Sequence, residues 1–151
     1  MNADIVVIAK EPVAGLVKTR LTPPYSPEEA AALAEASLRD TLDTVVATPA
    51  GARSLVLRGS AGNWVPSGVR VLPQRGDGLD ERIACAFEDA YAGRPIVLIG
   101  MDTPQVTTEW LVRAGEALVT RDAVLGPAAD GGFWLLGLAD PADAGLVRGV
   151  P

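Results

Sequence analysis

A chain of 151 residues, 48% apolar and 21% charged, can bury a core within one domain and has the balance of a soluble globular protein. Its net charge of −6 argues against broad nucleic-acid binding, its lack of histidine excludes Ser-His-Asp triads and HExxH zinc sites, and its one cysteine, Cys85, excludes a disulfide framework. No apolar run approaches the ~18–20 residues of a membrane span, and the start MNADIVVIAK carries neither a basic leader nor a cleavage site, so a cytoplasmic setting without a membrane partner is expected.

The segment DIVVIA (4–9) is a short continuous apolar run rich in β-branched residues, as in buried parallel strands. The loop that follows, KEPVAGLVKTRL, holds the only two lysines in the chain, Lys10 and Lys18. Gly15 can take backbone angles that let main-chain N–H groups approach a ligand. Lys18 is a point charge and Arg20 a planar fork, and both suit phosphate. The order and spacing are not those of a Walker A loop. A solvated surface loop is the plainer reading.

Residues 26–48 read as a helix. Ser26 suits the N-cap, Pro27 the first helical position, and Glu29 completes a capping box. Leu33, Leu38, Leu42 and Val45 are read as its apolar stripe. SLVLRG (54–59) and VRVLPQ (69–74) read as strands. In PQRGDGLDER (73–82), the amide of Gln74 and the backbone at Gly76 and Gly78 could read a nucleobase edge. The plainer reading is a helix start in which Asp77 or Asp80 caps or favours the dipole. The helix that follows, to Gly93, places Ile83, Ala86, Phe87 and Ala90 on one face.

RPIVLIGMD (94–102) reads as an apolar strand ending in an acid, Asp102. A carboxylate there can hold Mg²⁺, which takes one or two carboxylates with waters and substrate phosphates, or it can cap the next turn or helix. Residues 107–120 read as a helix, and 123–128 and 133–139 as strands. Asp130-Gly131-Gly132 between them is a turn signature whose glycines would also let a substrate lie against the backbone. The alternation predicts an α/β sandwich with a largely parallel sheet, whose ligands bind at the carboxyl ends of the strands. One domain is expected, with no repeat or linker.

Taken in order, KEPVAGLVKTRL, PQRGDGLDER, LIGMDTP and GPAADGGFWLLGL resemble an uncharacterised bacterial family with the glycosyltransferase A-type, nucleotide-diphospho-sugar transferase fold. Its members are commonly assigned as glycosyltransferases, some in arsenosugar biosynthesis. The Lys-Thr-Arg-Leu element is also similar to the first loop of 2-phospholactate and phosphoenolpyruvate guanylyltransferases, and the layout, more distantly, to molybdenum-cofactor guanylyltransferases. The resemblance covers residues 4–140.

It implies a three-layer α/β/α sandwich with a nucleotide over the first half of the sheet. Lys18 and Arg20 would sit on its phosphates, near Lys10 and Gly15, with Gln74 to Leu79 near the base. Asp102 would be a metal ligand for Mg²⁺ or Mn²⁺, and Asp130, Gly131 and Gly132 would lie near the acceptor or the metal. The expected activity is nucleotidyl transfer from an NTP to a small phosphorylated or hydroxylated acceptor. Lys18 and Arg20 would neutralise charge on the leaving group, and Asp130 would be a further catalytic and metal-binding acid. Glycosyl transfer from an NDP-sugar is the rival reading. Such proteins continue past the GGFWLLGL element, whereas this chain stops at RGVP. The resemblance therefore also allows a truncated chain that lacks a second metal ligand and part of the acceptor site, a non-catalytic nucleotide-binding domain, or dimerisation through exposed apolar surface.

Overall fold

Strand β1 (Asp4–Lys10) is apolar at nearly every position, and the fold gives it neighbours on both edges and both faces. The computed structural model describes residues 1–18, 21–103, 105–129 and 132–148. After β1 come α1 (Pro27–Ala47), β2 (Arg53–Arg58), β3 (Arg70–Pro73), α2 (Leu79–Ala90), β4 (Ile96–Gly100), α3 (Thr108–Ala117), β5 (Ala123–Pro127) and β6 (Phe133–Leu138). A 3₁₀ helix, Pro141–Val147, follows β6. The six-stranded sheet has the order β3-β2-β1-β4-β6-β5. β1 to β4 pair in parallel, and β6 runs antiparallel to both β4 and β5. The largely parallel sheet expected from the sequence is present. No described helix is long and apolar enough to cross a membrane.

The period-two alternation of strand side chains divides the core into two layers. Ile5, Val7 and Ala9 pack with Leu38 and Leu42 of α1 and Leu111 of α3 on one face of the sheet. Val6, Val56 and Leu98 pack with Phe87 of α2 and Ala144 of the 3₁₀ helix on the other. Helix α1 starts as its sequence dictates. Ser26 Oγ accepts from Glu29 N–H at 3.1 Å, and Ser26 N–H donates to the Glu29 carboxylate at 3.0 Å. The Ser26 backbone N–H, and secondarily its side chain, hold the Glu29 carboxyl below its ordinary pKa. The expected stripe is corrected at one position. Leu33 is 45% exposed, and the alanines Ala30 and Ala34 face the core instead. Small side chains there let the helix lie close to the sheet.

At the end of the sheet remote from the strand tips, Asp4 is buried. Its Oδ1 accepts from Ala52 N–H and from Arg94 Nε, both at 2.7 Å, so one carboxylate ties the starts of β1, β2 and β4 together. Gly51 is required beside it, because a Cβ there would lie 2.4 Å from Asp4 Oδ1 and Arg94 Nε. Arg94→Met would leave this buried carboxylate with the Ala52 N–H as its named partner. A loss of roughly 1–3 kcal/mol is expected, read in urea unfolding as a lower midpoint at unchanged slope.

Candidate functional site

The register of β1 on β4 assembles the site. Ile8 lies opposite Gly100, so two residues further along each strand the chain delivers Lys10 and Asp102 at the same end of the sheet. The strand ends before Asp102, at Gly100 rather than at 102 as its apolar run suggested. Asp102 is thus on a bend outside the sheet. It does not cap the following helix, since the N-cap of α3 is Thr107, whose Oγ1 accepts from Trp110 N–H at 3.3 Å.

The loop after β1 is pinned at several points. Glu11 N–H donates to Arg58 O at 2.8 Å, and Glu11 Oε1 accepts from Ser60 N–H at 2.7 Å. Gly59, at φ +117°, makes room for this, since a Cβ there would sit 2.5 Å from Glu11 Cβ. Lys10 N–H meets Met101 Sδ at 3.4 Å, and Lys10 Nζ donates to Leu16 O at 3.2 Å. Ser37 of α1 donates from Oγ to Met101 O at 3.0 Å, which fixes the β4 bend from below. Gly15 turns at φ +82°, and Lys18 itself sits at φ +48°. A lysine in the left-handed region is uncommon, costs of order 1–2 kcal/mol, and tends to mark function.

Held this way, Lys18 Nζ lies 2.9 Å from Asp102 Oδ1, an ion pair across 84 positions of sequence. The Asp102 side chain is 71% exposed and that of Lys18 27%. Lys10, Lys18, Asp102, Leu16, Leu21 and Met101 line one cavity of about 460 Å³. The two lysines and the strand-end acid singled out in the sequence therefore converge. Arg20, Asp130 and Gly131 lie outside the described residues. Gly132 O accepts from Ala128 N–H at 2.8 Å across the β5–β6 turn.

The loop after β3 stands at the same end of the sheet. The Gln74 side-chain amide donates to Ala9 O at 3.1 Å and Val56 O at 3.5 Å, so its nitrogen clamps the strand ends together. Arg75 grips Asp89 of α2 with two bonds of 2.7 and 2.8 Å, and this raises the guanidinium pKa further. Gly76, at φ +107°, passes so close to α2 that a Cβ would lie 2.9 Å from Arg82 N. Helix α2 starts at Gly78 with no side-chain hydrogen bond to the cap, while Asp80 and Glu81 stand in its first turn. These acids suit the helix dipole, and Glu81 Oε2 also accepts from Asp77 N–H at 3.3 Å. Leu79 is 64% exposed.

No cluster of three or more His, Cys, Asp or Glu occurs among the described residues, so an all-protein metal cage is not what they form. One exposed carboxylate in a lysine-lined cavity does fit Mg²⁺ or Mn²⁺ carried on substrate phosphates. Beyond Asp102 a second cavity of about 420 Å³ continues between Thr103, Gln105, Trp110, Pro127 and Trp134. Glu11, Ser37, Thr103 and Gln105 went unnoticed in the sequence. Glu11 alone had a signal, as a carboxylate immediately past a buried strand.

A family model described as "Uncharacterized protein conserved in bacteria (DUF2064)" matches residues 32–151, and the chain belongs to that family. Among curated proteins none matches the sequence. A provisionally assigned nucleotide-diphospho-sugar transferase from Desulfovibrio desulfuricans is 27% identical, with a TM-score of 0.83 over 99% of this chain and 69% of that one. Rv0371c from Mycobacterium tuberculosis, in complex with manganese, is 19% identical, with a TM-score of 0.60 over 99% of this chain and 77% of that one. 2-C-Methyl-D-erythritol 4-phosphate cytidylyltransferase from Thermus thermophilus is 16% identical, with a TM-score of 0.54 over 100% of this chain and 86% of that one. The fold is that of the nucleotide-diphospho-sugar transferases.

The conformation of Lys18 separates stability from binding. Lys18→Gly relieves the left-handed strain and breaks an exposed ion pair of little net worth. Thermal or urea unfolding of the unliganded protein is expected to show stability unchanged or raised by up to about 1 kcal/mol. Lys18→Ala keeps the strain and should gain nothing.

Proposed function

We propose that this member of the DUF2064 family is a nucleotide-dependent transferase whose donor phosphates occupy the cavity between Lys10, Lys18 and Asp102. The observation that carries this reading is the convergence of the chain's two lysines and a strand-end carboxylate on one cavity at the carboxyl end of a parallel sheet. Lys10 and Lys18 hold the phosphates and neutralise charge that grows on the leaving group. The backbone around Gly15, fixed by the Glu11 contacts, keeps this loop in place before the ligand arrives. Arg20 would add a third cation, and the loop from Gln74 to Leu79 would stand near the base. Asp102, with Asp130 as a second carboxylate, would hold a Mg²⁺ or Mn²⁺ ion, which when bound neutralises phosphate charge.

The favoured reaction is nucleotidyl transfer from an NTP. An acceptor oxygen forms its bond to the α-phosphorus as the bond to the bridging oxygen of pyrophosphate breaks. Pyrophosphate leaves with that electron pair, and the acceptor proton passes to a carboxylate or to solvent. The concentration of cations on one loop favours this, since a triphosphate carries more charge than a diphosphate. Glycosyl transfer from a nucleotide sugar is the second reading, favoured by the 27% identical Desulfovibrio protein. Pyrophosphate release from an NTP distinguishes the first, and nucleoside diphosphate release from a sugar nucleotide the second. Binding without either product would identify a non-catalytic nucleotide-binding domain.

The Lys18–Asp102 contact supports a coupling between donor and metal on this reading. Each alone must separate the pair and leave one charge unmatched, whereas together they open it once, a positive coupling. Thermal unfolding with Mg²⁺ and each of GTP, ATP, CTP, UTP and UDP-glucose is the test. A ligand at one hundred times its dissociation constant adds about 2.7 kcal/mol. The shift is expected to need Mg²⁺ in the wild type and to vanish in Lys18→Ala. In Asp102→Asn, nucleotide without Mg²⁺ should bind at least as well as to the wild type. No shift with any of the five ligands would sink the proposal.

A further inference from the structure

Three cavities adjoin from the carboxyl end of β1 toward β5, the first two sharing Asp102 and the last two sharing Trp110, Pro127 and Trp134. Asp102 lines both the lysine cavity and the 420 Å³ cavity beyond it. Trp110, Pro127 and Trp134 line that second cavity and also a third, of about 390 Å³, toward β5. A molecule in the middle cavity would lie beside the residue that, on the transferase reading, faces the donor's phosphates. That is where an acceptor has to be.

The walls of the middle cavity are of two kinds. Trp110, Trp134, Val106 and Pro127 bring aromatic and apolar character to its lining, and Asp102, Thr103 and Gln105 bring polar groups. Both indoles are set in place. A Cβ at Gly126 would lie 2.8 Å from the Trp134 ring, so the glycine is what lets that indole lie against β5. The Arg113 guanidinium stacks over Trp110, with Cζ 4.9 Å from the ring centroid. Trp110 is nevertheless 52% exposed, an unusual position for a tryptophan that only fills a core. No lysine or arginine is among the described residues that line this cavity, and its one ionised group, Asp102, is an acid. Among these lining residues an anionic acceptor group would find a carboxylate and no cation of its own to pair with, which favours an uncharged acceptor.

We infer, resting on the transferase reading above, that the acceptor is a small uncharged polyhydroxy compound of the sugar or cyclitol class. Its nonpolar C–H face lies against the tryptophans, and its hydroxyls face Thr103, Gln105 and Asp102. The hydroxyl beside Asp102 is the one that attacks the donor. Its oxygen gains the transferred group, the donor's leaving phosphate takes the electron pair of the broken bond, and the hydroxyl proton goes to a carboxylate or to solvent. This narrows the acceptor to hydroxylated rather than phosphorylated compounds, and it holds for nucleotidyl and glycosyl transfer alike.

Intrinsic tryptophan fluorescence tests this without needing turnover. D-Glucose, D-ribose and myo-inositol, and the monophosphate of each, are titrated to tens of millimolar with and without Mg²⁺ and nucleotide. At least one neutral compound is expected to change the emission in a saturable way and to bind at least about tenfold more tightly than its phosphate. Trp110→Ala, at an exposed position that should not affect folding, is expected to weaken that binding about tenfold, the equivalent of ~1.4 kcal/mol. It should leave the nucleotide-induced thermal shift unchanged. Gln105→Ala should weaken the polyol without removing a fluorophore. A phosphate that binds more tightly than its parent polyol overturns the inference, as does no response to any neutral compound. A nucleotide shift that persists in either case leaves the transferase reading standing. Polyol binding in a protein with no nucleotide shift would sink that reading and keep the polyol site.

Discussion

Strand β1 lies between β2 and β4, hydrogen-bonded in parallel to both, with Ile5 and Val7 buried against one helical layer and Val6 against the other. Its polar ends fix where it sits: a slip along its neighbours would pull Asp4 away from Ala52 and Arg94 and carry Lys10 off the strand end. Its register with β4 fixes where Lys10 and Asp102 emerge, and its register with β2 fixes where Glu11 meets Arg58 and Ser60. The buried Asp4 locks the same three strands at their other end. The chemistry at the tips thus inherits its geometry from hydrophobic burial along the strands.

Much of the fold was legible because strands buried on both faces are continuous apolar runs, and because Ser26, Pro27 and Glu29 announce a helix start. Leu33 was misread for an identifiable reason. Five residues separate it from Leu38, which on a helix leaves it about 140° out of phase. Ala30 and Ala34 hold the right phase, but small side chains carry little weight when a stripe is sought among leucines. The end of β4 was placed two residues late, since Met101 continues the apolar run and Asp102 reads as its polar end, while the backbone has already left the sheet.

At the site, residue types were legible and pairings were not. Two lysines flanking Gly15 in one loop, and an acid just past a strand, point to anion and metal chemistry on sight. That Lys18 and Asp102 touch depends on two loops 84 positions apart, which only the sheet order brings together. Gln74 shows the converse. Its amide suggested recognition, yet its nitrogen holds Ala9 and Val56, an outcome set by where β3 ends beside β2. Trp134 beside Gly132 could be read as core or as a surface for an acceptor, but its meeting with Trp110 could not, since α3 and β6 come together only in the folded sheet.

The Lys18–Asp102 contact also bears on what the cavity keeps out. A cell holds many simple anions, and an open pair of lysines would collect them with little discrimination. If the cavity takes phosphates as proposed, each anion must first displace the Asp102 carboxylate that rests on Lys18. Inorganic phosphate arriving bare has nothing to offer Asp102 in exchange. On the proposed reading, a ligand that brings its own cation satisfies both partners at once, and the contact would bias the cavity by a small margin toward chelated phosphates over free ones.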